Sequence, residues 1–160
     1  MPNRNATFLD LEPEYVAGVK EVFEQKIVFN RVLGLRIGAL TADKVSASIT
    51  MKNDLVGHYG QNRLHGGVIS AVLDALGGFA VIMAVGTRHL DEPVAKRLER
   101  FGKLGTIDLR VDYLRPAIAP EFVATAEVIR LGSRVASTRM AFSNAEGKLY
   151  ATGAAAYIVS

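Results

Sequence analysis

The sequence predicts an α+β domain in which one antiparallel sheet wraps around a single long helix. Three observations carry that prediction. Residues 64–87, LHGGVISAVLDALGGFAVIMAVGT, form one long apolar stretch that reads as a helix from about Gly66. From Thr106 onward, apolar and polar residues alternate in runs separated by turn signals. The final run, YATGAAAYIV, is lined with Ala and Gly and so lets something as thick as the helix come close.

At 160 residues the chain fits one domain, 1–160, with a helical extension over 1–30 and a charged helical insertion over 88–104. Hydrophobic residues make up 49% and charged residues 22%, as in ordinary globular proteins. With no cysteine, a disulfide framework, a thiolate metal site and a cysteine nucleophile are all excluded. A net charge of +3 could favour an anionic ligand but is weak evidence for nucleic acid, and no nucleic-acid partner is expected. Residues 1–16 carry acids and no continuous apolar run, unlike a secretory or transit segment. Gly66 to Val85 is long enough to span a bilayer, but Asp74 at its centre and its internal glycines oppose that. A soluble, cytoplasmic protein is predicted.

Residues 12–28 read as a helix, with Pro13 at its start and a stripe of Val16, Val19, Val22, Phe23 and Ile27. Phe29 to Gly34 turns the chain into strands at Leu35-Arg36-Ile37 and Val45–Met51, which pair around Thr41-Ala42-Asp43. Asn53 to Leu64 reads as a polar loop. The central helix has an apolar stripe of Ile69, Val72, Leu73, Leu76, Ala80 and Met83. Its other side carries Gly67, Ser70, Ala71, Asp74, Gly77 and Gly78, a small-residue strip around one carboxylate. In the insertion, Asp91-Glu92-Pro93 starts a short helix with Val94, Leu98 and Phe101 on one face. Its cations (Arg88, Lys96, Arg97, Arg100, Lys103) read first as a solvated face. Four strands follow: Thr106–Leu114, Glu121–Arg130, Val135–Phe142 and Leu149–Val159, with tight hairpins at Leu131-Gly132-Ser133 and Asn144–Gly147.

The chemistry gathers on the central helix. Its N-terminus presents unpaired N–H groups and a partial positive charge, and Gly66 and Gly67 leave room for a carbonyl oxygen to reach both. Asp74 is a candidate general base or nucleophile, with a paired structural acid as the alternative. Eight residues of helix put Gly66 and Asp74 roughly 12 Å apart, too far for one reacting carbonyl group to touch both. A site using both takes them from two chains, so a homodimer with two interfacial sites is expected, its helices approaching over Gly67, Ala71, Gly77 and Gly78. His65 is a candidate site residue that either caps the helix and shapes the turn or hydrogen-bonds near the bound carbonyl, its place at the turn suiting positioning better than a base role. His58 and His89 carry no strong signal, no metal-ligand spacing appears, and there is no Gly-x-Ser-x-Gly elbow.

These residues carry a resemblance. His65-Gly66-Gly67 with Asp74, then GTIDLRVDYLRP over 105–116, Leu131–Val135 and Asn144 to Tyr157 resemble the hot-dog fold acyl-CoA thioesterases, specifically the phenylacetate-pathway branch. The likeness covers roughly residues 30–160. It implies a long helix wrapped by an antiparallel sheet, dimers with interfacial sites and often tetramers, and no cofactor beyond the coenzyme A of the substrate. It also implies roles: Asp74 as base or nucleophile, Gly66 N–H on the thioester carbonyl, Thr106 holding the attacking water. Arg134 and its turn match a segment near the nucleotide end of coenzyme A, with Arg115 a weaker candidate. Some relatives have an Asn where this chain has Tyr59, so Gln61 or Asn62 would substitute. The insertion would cover the acyl tunnel or bind phosphates, and Phe79, Ile82 and Met83 would line an apolar acyl channel. Medium- to long-chain fatty acyl-CoA is the expected substrate. A non-catalytic acyl-CoA-binding module and a hydroxyacyl thioester dehydratase are the competing functions.

Overall fold

The computed structural model describes residues 6–160; the first five residues of the expected N-terminal extension lie outside them. A 23-residue helix, α3 (Gly66–Arg88), forms the centre. Around it curls a six-stranded antiparallel sheet of β1 (Arg36–Leu40), β2 (Lys44–Thr50), β5 (Gly105–Tyr113), β6 (Glu121–Leu131), β7 (Val135–Asn144) and β8 (Leu149–Ile158), in the order β1-β2-β6-β7-β8-β5. This is the hot-dog arrangement implied by the motifs.

Alternation in the sequence decides which face of each strand meets the helix. Val45, Ala47 and Ile49 of β2, Phe122, Ala124 and Ala126 of β6, and Ala136, Thr138, Met140 and Phe142 of β7 are all buried. On β8, Gly153 sits where an added Cβ would come within 3.2 Å of a Leu73 methyl, so the Ala/Gly lining does bring strand and helix together. The helix is apolar enough to cross a bilayer by length and composition, but most of that apolar surface is buried within its own domain.

Three local expectations need correction. The helix predicted over 12–28 is broken. It comprises α1 (Pro13–Glu21), a wider π-type turn over Val22–Lys26, an extended residue at Ile27 and a further helix α2 (Val28–Leu33) that ends at Gly34 with φ +73°. β-Branched Ile27 favours extended backbone and separates the two stripes, while Gly34 supplies the left-handed cap. Residues 53–64 are more than a loop, because β3 (Val56–His58) pairs with β4 (Arg63–Leu64). Finally, Gly77 and Gly78 do not face a second helix. Tyr157 and Met140 occupy the place of a Gly77 side chain, and Leu104 and Tyr157 lie beside Gly78.

The cations of the insertion are not one solvated face. In α4 (Val94–Glu99), Arg97 is 0% exposed. It bonds Glu12 and the Gly86 carbonyl and lies 4.9 Å from the centroid of the Tyr15 ring. Arg100 pairs with Glu92, and Arg88 donates to the Leu131 and Gly132 carbonyls of the β6–β7 hairpin. Lys96 and Lys103 do stay exposed. The insertion thus clamps α1 and the hairpin onto the end of α3; Leu98 packs at Gly18 and Phe101 meets Phe23 edge-on.

Candidate active site

The first half of α3 leaves part of its surface uncovered, from His65 through Asp74. His65 is the N-cap, and its Nδ1 accepts the Gly67 N–H at 2.8 Å. That bond requires an unprotonated Nδ1, so the neutral imidazole carries its proton on Nε2. It also corrects the expectation that Gly66 and Gly67 both offer an N–H to a carbonyl, since Gly67 is already engaged. The Gly66 N–H has no acceptor among the described residues. Its peptide carbonyl, His65 O, accepts from Val68 at 3.0 Å and Ile69 at 3.4 Å. Those bonds polarise the His65–Gly66 peptide unit and strengthen its free donor.

Two unpredicted residues hold this first turn. The Tyr113 and Ser70 hydroxyls lie 2.9 and 3.0 Å from the Gly66 carbonyl and 2.6 Å from each other, so two protons are shared over three contacts, one hydroxyl donating to the other and at least one donating to the carbonyl. Tyr113 also lines a groove of about 370 Å³ beside Gly66, whose apolar floor includes Leu64, Ile69 and Ala117 and whose rim carries Arg63 and Arg115. The signal in the sequence was Tyr113 within VDYLRP, on the strand that also carries Thr106.

Two turns along α3, the half-buried Asp74 accepts at Oδ1 from the Thr106 hydroxyl at 2.8 Å. Thr106 is aimed there by a register break in the β5–β8 pairing. Thr106 stands opposite Tyr157 and Asp108 opposite Ala156, which leaves Ile107 as a bulge, 57% exposed. Bulges of this kind re-aim a neighbouring side chain. Beneath Asp74 lies Tyr157, a third unpredicted residue, which donates to the Asp74 main-chain carbonyl at 2.9 Å. Burial, and then the Asp74 charge, push the Tyr157 phenol well above its usual range, so it stays a donor.

The other expected site residues scatter. Gln61 and Asn62 are exposed on the turn before β4, Asn62 with φ +48°, and neither bonds Gly66 or Asp74. Tyr59, where some relatives would have Asn, stacks on His58. Arg115 donates to the Leu149 carbonyl while rimming the groove. Arg134 is exposed at the β6–β7 hairpin, where it joins Arg130, Ser133 and Ser137 around a hollow of about 370 Å³. Its carbonyl bonds the Val159 N–H, so the hairpin lies at the same end of the sheet as Thr106. Phe79, Ile82 and Met83, expected along an acyl channel, pack inside the protein. They are 0%, 2% and 0% exposed in the closed core, with Phe79 edge-on to Phe23 at 5.2 Å.

The arrangement therefore offers two reactive ends on one helix: a carboxylate held by a hydroxyl, and a free N–H at a positive helix terminus. Known proteins share this framework. The chain is 38% identical over 143 residues to the medium/long-chain acyl-CoA thioesterase YigI of Escherichia coli, covering 88% of this chain and 91% of that one. A crystal structure from Shewanella oneidensis, described as related to the thioesterase superfamily, superposes with a TM-score of 0.86 at 40% identity, over 92% of this chain and 96% of that one. A thioesterase family protein from Silicibacter pomeroyi, 23% identical, shares the fold with a TM-score of 0.69, over 90% of this chain and 96% of that one. The thioesterase superfamily model matches residues 61–151, a span that includes Gly66, Asp74 and Thr106, and by that match the chain belongs to the thioesterase superfamily.

Proposed function

We propose that this protein hydrolyses medium- to long-chain fatty acyl-CoA to the free acid and coenzyme A, with Asp74 as the reacting carboxylate. The observation that carries the reading is the Thr106–Asp74 hydrogen bond on the open face of α3. The name of the 38%-identical relative from Escherichia coli supports the choice of substrate.

In this reading the thioester carbonyl accepts the Gly66 N–H, which stabilises the oxyanion as the carbonyl carbon becomes tetrahedral. Asp74 takes a proton from water, held beside it with Thr106, as the water attacks. Collapse breaks the C–S bond, and the proton passes to the departing thiolate, leaving acid and thiol. Direct attack by Asp74 and hydrolysis of the resulting anhydride gives the same products. The groove beside Gly66 takes the part of the substrate next to the carbonyl, and Arg134 with Arg130 meets the phosphates of coenzyme A.

Gly66 and Asp74 sit on one continuous helix roughly 12 Å apart, so the site is built from two copies of the chain. The strand edge suits that role. Among the described residues β5 is an edge strand with no strand on its outer side; it carries Thr106 and exposes Ile107 and Tyr113. Edge-to-edge pairing of β5 replaces the helix-to-helix approach that the glycines suggested. A soluble, cytoplasmic dimer follows from this reading.

Thiol release from acyl-CoAs of graded length, from acetyl to palmitoyl plus phenylacetyl, tests it with wild type beside Asp74→Asn. The expected outcome is a maximum among the longer chains, and a loss of at least ~100-fold in the variant with binding kept. Near-normal turnover by Asp74→Asn would refute the site.

A further inference from the structure

We propose that Tyr157 is a positioning residue for the Asp74 chemistry: seated in a slot at Gly77, its phenol fixes the Asp74 main chain so that the carboxylate stays on Thr106. The inference rests on Asp74 being the reacting carboxylate.

The sheet register makes the case. Thr106 and Tyr157 are direct partners across β5 and β8, so their side chains leave the sheet on the same face and at the same level of α3. Both end on the same residue, Thr106 at the carboxylate (2.8 Å) and Tyr157 at the carbonyl (2.9 Å). One residue is thus gripped at both its functional and its main-chain oxygen by a single cross-strand pair.

The slot depends on glycine. A Cβ at position 77 would strike the Tyr157 hydroxyl and come within 2.8 Å of the Met140 sulfur, so only glycine admits the group there. Packing alone does not call for the oxygen. Tyr157 is 1% exposed, and a phenylalanine ring would fill nearly the same space with no polar group to satisfy. In a regular helix the Asp74 carbonyl is already committed to the N–H four residues on, at Gly78. A second, buried donor on that carbonyl adds a tether at the one turn where a side-chain position governs the proposed chemistry.

The molecule contains a control. Tyr15, 0% exposed, donates to the Ile82 carbonyl of the same helix at 2.8 Å and fills a slot at Gly86. It resembles Tyr157 in burial, acceptor and glycine slot, but lies two turns from Asp74 with no catalytic group at its acceptor.

The test is steady-state hydrolysis of dodecanoyl-CoA by wild type, Tyr157→Phe, Tyr15→Phe, Thr106→Val, the Thr106→Val/Tyr157→Phe double variant and Asp74→Asn. Thermal melts within about 4 °C of wild type would verify the fold of Tyr157→Phe. Tyr157→Phe is expected to lower kcat about 10-fold with KM within about twofold, as loss of orientation does. Tyr15→Phe should leave kcat unchanged. The double variant should fall less than the product of its two single losses, because both groups act through one carboxylate. Wild-type kcat in Tyr157→Phe would overturn the proposal, as would equal losses in both tyrosine variants, which would mean general support of the helix. If Asp74→Asn keeps its turnover, the assignment of Asp74 fails and the role of Tyr157 with it. If Asp74→Asn is inactive while Tyr157→Phe is normal, only the role of Tyr157 fails.

Discussion

Tyr15 and Tyr157 bind α3 in the same way at opposite halves, through the Ile82 and Asp74 carbonyls, and what surrounds them differs completely. Around Tyr15 most of the helix surface is covered, with Ala84, Thr87 and Arg88 left partly exposed. Phe79, Ile82 and Met83 are buried, Arg97 lies over the Tyr15 ring, and α1 and α4 cover the outside. Around Tyr157 the helix is gripped from the sheet side, and Asp74 stays half-open. A well-packed half thus continues into a more open half that carries an N–H and a carboxylate on one regular element. Sites built on regular elements keep such spacing better than sites on loops. In the proposed mechanism, the same continuous helix that provides the spacing puts the Gly66 N–H and the Asp74 carboxylate too far apart for one chain to use both.

The sharpest way to break the comparison is Phe79→Ala. As a core residue touching Phe23, Phe79 should cost about 4 kcal/mol when truncated, read from chemical denaturation, with the preferred acyl length unchanged. A shift of preference toward longer chains at little cost in stability would instead make Phe79 part of an acyl channel.

Arg97→Ala comes next, at about 3 kcal/mol, because it removes a fully buried guanidinium and releases Glu12, the Gly86 carbonyl and the Tyr15 ring together. The pair has a pH signature. The hydrogen bond from Arg97 holds the Glu12 carboxyl below its ordinary 4.5. A carboxylate whose folded value is lowered contributes stability that is complete above the unfolded value and is lost as pH falls below it. Wild-type melting temperature should therefore drop below about pH 4.5, and Glu12→Gln should flatten part of that acid limb. An identical limb in the variant would show that the pair contributes nothing.

How much of this was legible depends on whether a signal is local. The limits of α3 and the strands β5 to β8 followed from periodicity, and Thr106 and Asp74 followed from the motifs; the structure joins them with one hydrogen bond. Arg97 looked solvated because its neighbours in sequence are charged, while the partner that allows its burial is Glu12, 85 positions away. Gly77 shows the same failure in reverse. Its missing side chain was visible and was read as room for another helix, but the occupant is Tyr157 on the last strand, 80 positions on by residue number. A run of small residues announces a close approach and does not name the group that approaches. Tyr113 and Ser70 were missed for the related reason that hydroxyls on a strand and a helix read locally as filler until the first turn brings them 2.6 Å apart.

The smallest expected effect lies at the exposed tip of the open half and separates two roles for His65. As an N-cap its Nδ1 satisfies the Gly67 N–H, an interaction whose loss typically costs about 1 kcal/mol. His65→Ala should lower stability by that amount and reduce kcat less than about 10-fold, because the Gly66 N–H remains in place. His65→Asn should then restore the stability, since Asn is among the best N-cap residues and its side-chain oxygen reaches the same donor. A general base predicts a different pattern, in which both substitutions lose at least ~100-fold in turnover whatever they do to the cap. Denaturation and kinetics on the two variants thus distinguish a histidine that holds the helix end from one that moves a proton. The bond to Gly67 favours the first, because it occupies the ring nitrogen nearest the helix with an N–H that the substrate would otherwise meet.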